Sequence, residues 1–287
     1  MGGTYKKYNG EERFMKNRLS TIILFLMLLV GLSLLLYPTI SDYWNSFHQT
    51  RAIAAYVAEV ADLSEEEYEA MFQAARDYNQ RLLKKPFRWE LSPEEVEEYN
   101  SILDVTGTGI MGYIEVPVIG VTLPIYHGTD EGVLQIAIGH LTGSSFPIGG
   151  ESTHSVVSGH RGLPSAKLFT DLDKVVEGDR FVIRVLNETM TYEIDQIRIV
   201  EPNDLSPLAI SSGEDYCTMV TCTPYGVNSH RLLIRGHRIE NAEEAEEIIV
   251  TADAMQIEPI LVAPIVAVPI LLILFIIMMT RTGNKKK

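Results

Sequence analysis

Two long apolar runs bracket this chain, and they limit what it can fold into more than any other feature. The first, Leu19 to Tyr37, is nearly free of charge and just long enough to cross a bilayer as a helix. The second, Ile257 to Thr280, carries Pro259, Pro264 and Pro269, costly in a soluble helix but tolerated in a membrane span. Lys6, Lys7, Arg13, Lys16 and Arg18 precede the first run, and Arg281 with Lys285, Lys286 and Lys287 closes the second. Basic flanks stay in the cytoplasm, so both termini are expected inside and the segment between them outside. The first run is too long for the apolar core of a signal peptide and lacks a small-residue cleavage site, so it reads as an uncleaved anchor.

The expected divisions are a basic tail (1–18), an anchor (19–38), a helical region (39–98), a barrel (99–240), an acidic linker (241–256), a second span (257–280) and a basic tail (281–287). Nine of the 24 Lys and Arg lie in the tails with two of the 38 Asp and Glu, so the outer part holds 15 basic against 36 acidic residues, a net −21. So acidic an exterior argues against nucleic acid or an anionic membrane surface as partner.

Within the outer part the patterning changes once. Ile53, Tyr56, Val57 and Val60 follow helical spacing, as do Tyr68, Met71, Phe72, Ala75 and Leu82. Ser64 and Glu67 form a capping-box pattern, and Glu65 to Glu67 read as a dipole-favoured first turn rather than a metal site. Lys85-Pro86-Phe87-Arg88-Trp89 interrupts helix, and Ser92-Pro93 with Glu95 restarts it. From Gly112 short β runs punctuated by Gly, Pro and Asn take over, with a tight turn at Asn187-Glu188 and one short helix near Ser165–Leu172. Many short strands without regular helices between them predict a mainly β, closed or nearly closed barrel.

The chemistry concentrates in YCTMVTCTPYGVNSHRLLIRGHR, residues 216–238. An alternating strand delivers Cys222 to its end, Pro224 and Gly226 break it, and a second apolar run begins just after Arg231. If the two runs pair as a hairpin, Cys222 and Arg231 flank the loop, with Cβ atoms about 5 Å apart on one face. A thiol beside a permanent cation is in a setting that favours thiolate and can hold a developing oxyanion. Cys217 lies an odd number of residues earlier, hence on the other face, which argues against a disulfide and for a core role. The same geometry, and the spacing, argue against zinc on Cys217, Cys222, His230 and His237. Among seven histidines, His160 sits in the glycine-flanked bend Ser158-Gly159-His160-Arg161-Gly162, well placed to project into a cleft. His127, His140 and His154 are expected in Gly- or Ser-rich loops, with surface or structural hydrogen bonding as their role.

The stretch SGHRGLPSAKLFTDLDK (158–174), taken with TMVTCTPYGVNSHRLLIRGHR (218–238), resembles the sortases, and specifically the class C or pilus sortases. Their Thr-Leu-x-Thr-Cys strand reads Thr218-Met219-Val220-Thr221-Cys222 here, with Met at the usual Leu position. The likeness runs from about Tyr99 to Arg238. It implies an eight-stranded sortase β-barrel with an N-terminal helical region and two transmembrane helices. It also implies a catalytic set of Cys222 as nucleophile, His160 as acid and base, and Arg231 as holder of the substrate carbonyl or oxyanion. Thr221 is expected to add a hydrogen bond in substrate binding, and no metal or organic cofactor is implied.

The implied reaction cleaves an LPxTG-like sorting signal between Thr and Gly through a thioacyl enzyme, then joins the acyl group to a lysine amine of a pilin subunit. The implied setting is the cell membrane of a Gram-positive organism, with the catalytic domain outside. Attachment of surface proteins to a peptidoglycan precursor, a thiol hydrolase and a non-catalytic surface adaptor are the alternatives. Pilus sortases commonly carry a lid anchored by Asp-Pro-aromatic; the nearest counterpart here is Lys85-Pro86-Phe87 with Arg88-Trp89, a cation where the family has an acid. Phe87 and Trp89 are therefore candidate lid residues, or else they pin the linker against the barrel.

Overall fold

The computed structural model describes residues 4–241, so the second apolar run and the basic tail after it lie outside the described residues. By its internal contacts the chain divides between Ser41 and Asp42. The first helix, α1 (Thr4–Ala61), covers the expected anchor and the start of the expected helical region. Its stretch from Leu19, with a mean hydropathy of 2.7 in its most apolar window, is the one helix among the described residues long and apolar enough to cross a membrane. Leu24, Met27, Leu34 and Leu35 there are exposed, as lipid-facing residues would be.

In the body that begins at Asp42, Ile53, Tyr56 and Val60 on the last turns of α1 are buried, one face at helical spacing. The Tyr56 hydroxyl accepts from Leu186 N at 2.7 Å and donates to Met111 O at 3.0 Å, which satisfies two buried backbone groups at once. Burial pushes this phenol well above its ordinary range, so it stays protonated and able to donate. Helix α2 (Glu65–Leu82) opens with the expected capping box, and α3 (Pro93–Ser101) with a second one at Ser92 and Glu95. Asn79 on α2 exchanges two hydrogen bonds with the backbone of Phe146, fastening that helix to the barrel.

Eight strands follow: β1 (Ile110–Val116), β2 (Val121–His127), β3 (Ile138–His140), β4 (Thr153–Ser158), β5 (Arg180–Val185), β6 (Glu188–Val200), β7 (Asp215–Thr223) and β8 (His230–Ile239). A short helix, α4 (Glu131–Leu134), precedes β3. The strands close in the order β1-β2-β3-β4-β7-β8-β6-β5, which leaves no open sheet edge. Pairing is antiparallel except at β2–β3 and β4–β7. Side chains alternate across the wall: Cys217, Met219 and Thr221 on β7 are all but fully buried, whereas Val220 and Cys222 are only partly covered.

Two local expectations shift. The turn between β5 and β6 falls on Leu186-Asn187, one residue early, because Leu186 takes a φ of 52° and gives its N–H to Tyr56. The helix expected near Ser165–Leu172 is instead a series of turns ending in a 3-10 turn at Leu172–Lys174. Leu168 has a φ of 38°, outside right-handed helix, and Phe169 N donates to His160 O at 3.2 Å.

Candidate active site

The register of β7 on β8 sets Cys222 directly opposite Arg231, with Thr223 opposite His230. Cys222 is partly exposed and Cys217 fully buried, and both are free thiols. Burial drives the Cys217 thiol far above its ordinary range, so only Cys222 is accessible as a nucleophile. One guanidinium nitrogen of Arg231, Nη1, bonds its own turn, at 3.3 Å to Asn228 O and 3.2 Å to His230 O. Among the described residues Arg231 has no carboxylate within ion-pair reach, which leaves the rest of its donor set for a ligand.

The parallel partner of β7 brings the histidine in. Ser158, the last residue of β4, pairs with Val220, and Gly159 N donates to Val220 O at 3.0 Å. His160 thus leaves β4 beside the strand that ends in Cys222. The two flanking glycines have steric reasons. A Cβ on Gly159 would come within 2.8 Å of Ile138 and Phe169. Gly162 has a φ of 78°, and a Cβ there would meet the Tyr225 ring at 2.7 Å. Gly159 lets the bend close on Ile138 and Phe169, and Gly162 lets it close on Tyr225 in the loop that follows Cys222.

Arg161, whose importance the sequence did not reveal, ties those two loops. Its Nη2 lies 2.5 Å from Asp173, its Nη1 donates to Thr223 Oγ1 at 3.4 Å, and its guanidinium stands 5.8 Å from the centre of the Tyr225 ring. Nothing in the Gly-His-Arg-Gly string separates this buried clamp from a surface charge; its partners come from two other segments, one at Asp173 and one at Thr223–Tyr225.

Thr221 departs from its expected part in substrate binding. Adjacent residues of a strand face opposite sides, so beside a partly exposed Cys222 it points inward and is 1% exposed. Its hydroxyl donates to Gly159 O at 2.8 Å, fixing the residue just before His160. Thr221 holds the histidine loop from the inner face of the wall.

His127, His140 and His154 are structural, and they sit on β2, β3 and β4 rather than in loops. His140 is stacked against Tyr99 and Phe146, and its Nε2 faces Ser145 O at 2.8 Å. His154 lies between Ala209 O and Thr218 Oγ1. Burial pulls them down to about 3 and about 4, so both are neutral at physiological pH and cannot act as proton donors. Both ring nitrogens of His127 face backbone carbonyls.

The candidate lid divides. Trp89 packs with Val156, Leu208 and Leu233, beside Val220, on the outer face of the wall. Val220 and Leu233 are two residues from Cys222 and Arg231 on the same face, so the indole covers ground next to the pair. Arg88 holds it there, its guanidinium 4.3 Å from the ring and its Nη2 2.5 Å from Leu208 O. Phe87 is 72% exposed and pins nothing, which corrects its expected role. Lys85 pairs with Glu95 at 2.6 Å, so its charge is answered on α3. Trp89→Ala is expected to speed alkylation of Cys222 by a small thiol reagent several-fold and to cost about 1–2 kcal/mol of stability. Phe87→Ala is expected to change neither. Stopped-flow labelling of the full chain checks both, and unchanged kinetics in Trp89→Ala would remove the lid role.

A thiol opposite an arginine, with a histidine delivered by the neighbouring strand of a closed barrel, has the layout of a thiol acyl-transfer centre. Comparison with known proteins places it more closely. The sortase domain family matches residues 114–239. A crystal structure of sortase C1 from Streptococcus agalactiae is 53% identical, covers 67% of this chain and 100% of its own, and has a TM-score of 0.63. Sortase C of Streptococcus pneumoniae is 45% identical over 67% of this chain and 97% of that one, at a TM-score of 0.61. Sortase D of Bacillus subtilis is 30% identical over 131 residues, and the match spans 63% of its length. The chain belongs to the sortase family of cysteine transpeptidases, and its structural neighbours put it in class C.

Proposed function

We propose that this chain is a membrane-anchored pilus sortase: it cleaves an LPxTG-like signal between Thr and Gly and joins the new acyl end to a lysine of a pilin subunit. The observation that carries the reading is the pairing of Cys222 with Arg231 at the end of β7, beside the His160 bend. Its pilus part rests on the class C neighbours: the S. pneumoniae structure is described with pilin substrate specificity, and one from S. agalactiae with a pilus island.

In this reading the Cys222 thiolate attacks the Thr carbonyl, and Arg231 holds the oxygen as it gains charge. His160 as imidazolium protonates the departing Gly amine, leaving a thioacyl enzyme and a neutral imidazole. The imidazole then takes a proton from the incoming amine, the amine attacks the thioester, and the thiolate leaves. Thr221 and Arg161 hold the His160 loop at its distance from β7. The anchor at 19–38 sets the barrel on the outer face of the cell membrane, with both termini in the cytoplasm and the 257–280 run as the second span.

Full-length enzyme in detergent, incubated with an LPxTG-type peptide, candidate pilins and a peptidoglycan-precursor amine, is expected to give a lysine-linked isopeptide product by mass spectrometry. Product joined only to a peptidoglycan-precursor amine, or only the free acid, would overturn the pilus reading.

A further inference from the structure

The geometry points to Glu131 as the docking group for the acceptor ammonium, a subsite that rests on the proposed transfer to lysine and adds to it the recognition of charge. His160 Nε2 is buried and has no hydrogen-bond partner. The group it faces is Glu131 Oε2, at 3.7 Å, too far for a direct hydrogen bond. Gln135, the residue just past α4, donates to the other oxygen of that carboxylate and so aims Oε2 at the histidine. The side chains of Glu131 and His160 are 72% and 27% exposed, so an acceptor meets the carboxylate from solvent and must move in beside the ring to reach the buried Nε2.

An amine nitrogen placed about 2.9 Å from each group closes a triangle on that 3.7 Å base. One N–H would then point to the carboxylate and another to the imidazole. An anion at this corner offsets the cation that stands opposite the thiol. Arg231 repels an ammonium, and Arg161 is already balanced by Asp173. Among the described residues, Glu131 is the one carboxylate within 4 Å of a His160 nitrogen. Water, the competing nucleophile, is neutral and gains nothing from it, so the same contact favours aminolysis over hydrolysis.

The protons balance. The ammonium sheds two on becoming an amide nitrogen: one restores the His160 imidazolium, and the other leaves to solvent past Glu131. The thioester C–S bond breaks as the C–N bond forms, and Cys222 departs as thiolate.

The test compares a charged acceptor with an uncharged one in the full-length enzyme. Lysine in a pilin-derived peptide is cationic near neutral pH, whereas hydroxylamine is not. Glu131→Gln is expected to raise KM for the lysine peptide about three- to tenfold while KM for hydroxylamine moves less than about twofold, and Glu131→Asp to recover part of the loss. An equal rise for both acceptors would overturn the proposal by showing that Glu131 acts through His160 or the fold, and unchanged KM for lysine would overturn it outright. A wild-type enzyme that uses hydroxylamine but no lysine amine would overturn the transfer to lysine, and this subsite with it.

Discussion

Replacing Cys222 by alanine is expected to abolish transfer, while Cys217→Ala keeps most of it. The two thiols lie on one strand five residues apart, and the barrel wall separates them. Cys217 is buried completely inside, and desolvation holds it as a thiol. Its truncation removes one sulfur from a packed interior, which costs about 1–2 kcal/mol of stability and touches no reacting group. Cys222 is partly exposed, so Cys222→Ala leaves packing almost unaltered, yet it removes the atom that forms the thioester. Loss of the nucleophile is expected to lower the rate by about four orders of magnitude or more. Intact-mass detection of the thioacyl adduct, with circular dichroism as the fold control, separates the two variants. Transfer retained in Cys222→Ala would overturn the assignment of the nucleophile.

What could be read before the structure was the part carried by local pattern. The alternation over 216–222 and the turn chemistry at Pro224–Ser229 set the hairpin register, and Cys222 does meet Arg231. The capping boxes at Ser64 and Ser92 likewise depend on residues three apart, and both form. The missed features all depend on distant segments. The Arg161 clamp joins residues 161, 173, 223 and 225, and its residue types resemble those of any polar loop. Glu131 lies 29 residues before His160, and only the pairing of β3 with β4 places α4 near the end of β4. Thr221 differs in the other direction. Its place beside the nucleophile suggested substrate contact, but alternation along the strand turns it to Gly159 O.

Arg231→Lys is expected to cut kcat/KM about 10²- to 10³-fold although the charge is kept. The guanidinium divides its donors: Nη1 is held by the carbonyls of Asn228 and His230, and the other nitrogens are left for substrate. That anchoring fixes a planar fork above the strand end, directly opposite the thiol. A lysine ammonium has three donors on one flexible atom, so it either bonds the turn or reaches the substrate oxygen, with no preset direction. If charge alone were needed, lysine would serve nearly as well. A directed donor at the developing oxyanion is the stronger requirement, because pre-aligned donors need no rearrangement as charge appears. The loss is therefore expected in the acylation step, and single-turnover formation of the thioacyl enzyme should slow as much as kcat/KM falls. Thermal stability should move by less than about 1 kcal/mol, since the residue is only partly buried. A single-turnover rate within about twofold of wild type would reduce Arg231 to an electrostatic neighbour of Cys222, and the oxyanion would then need another donor.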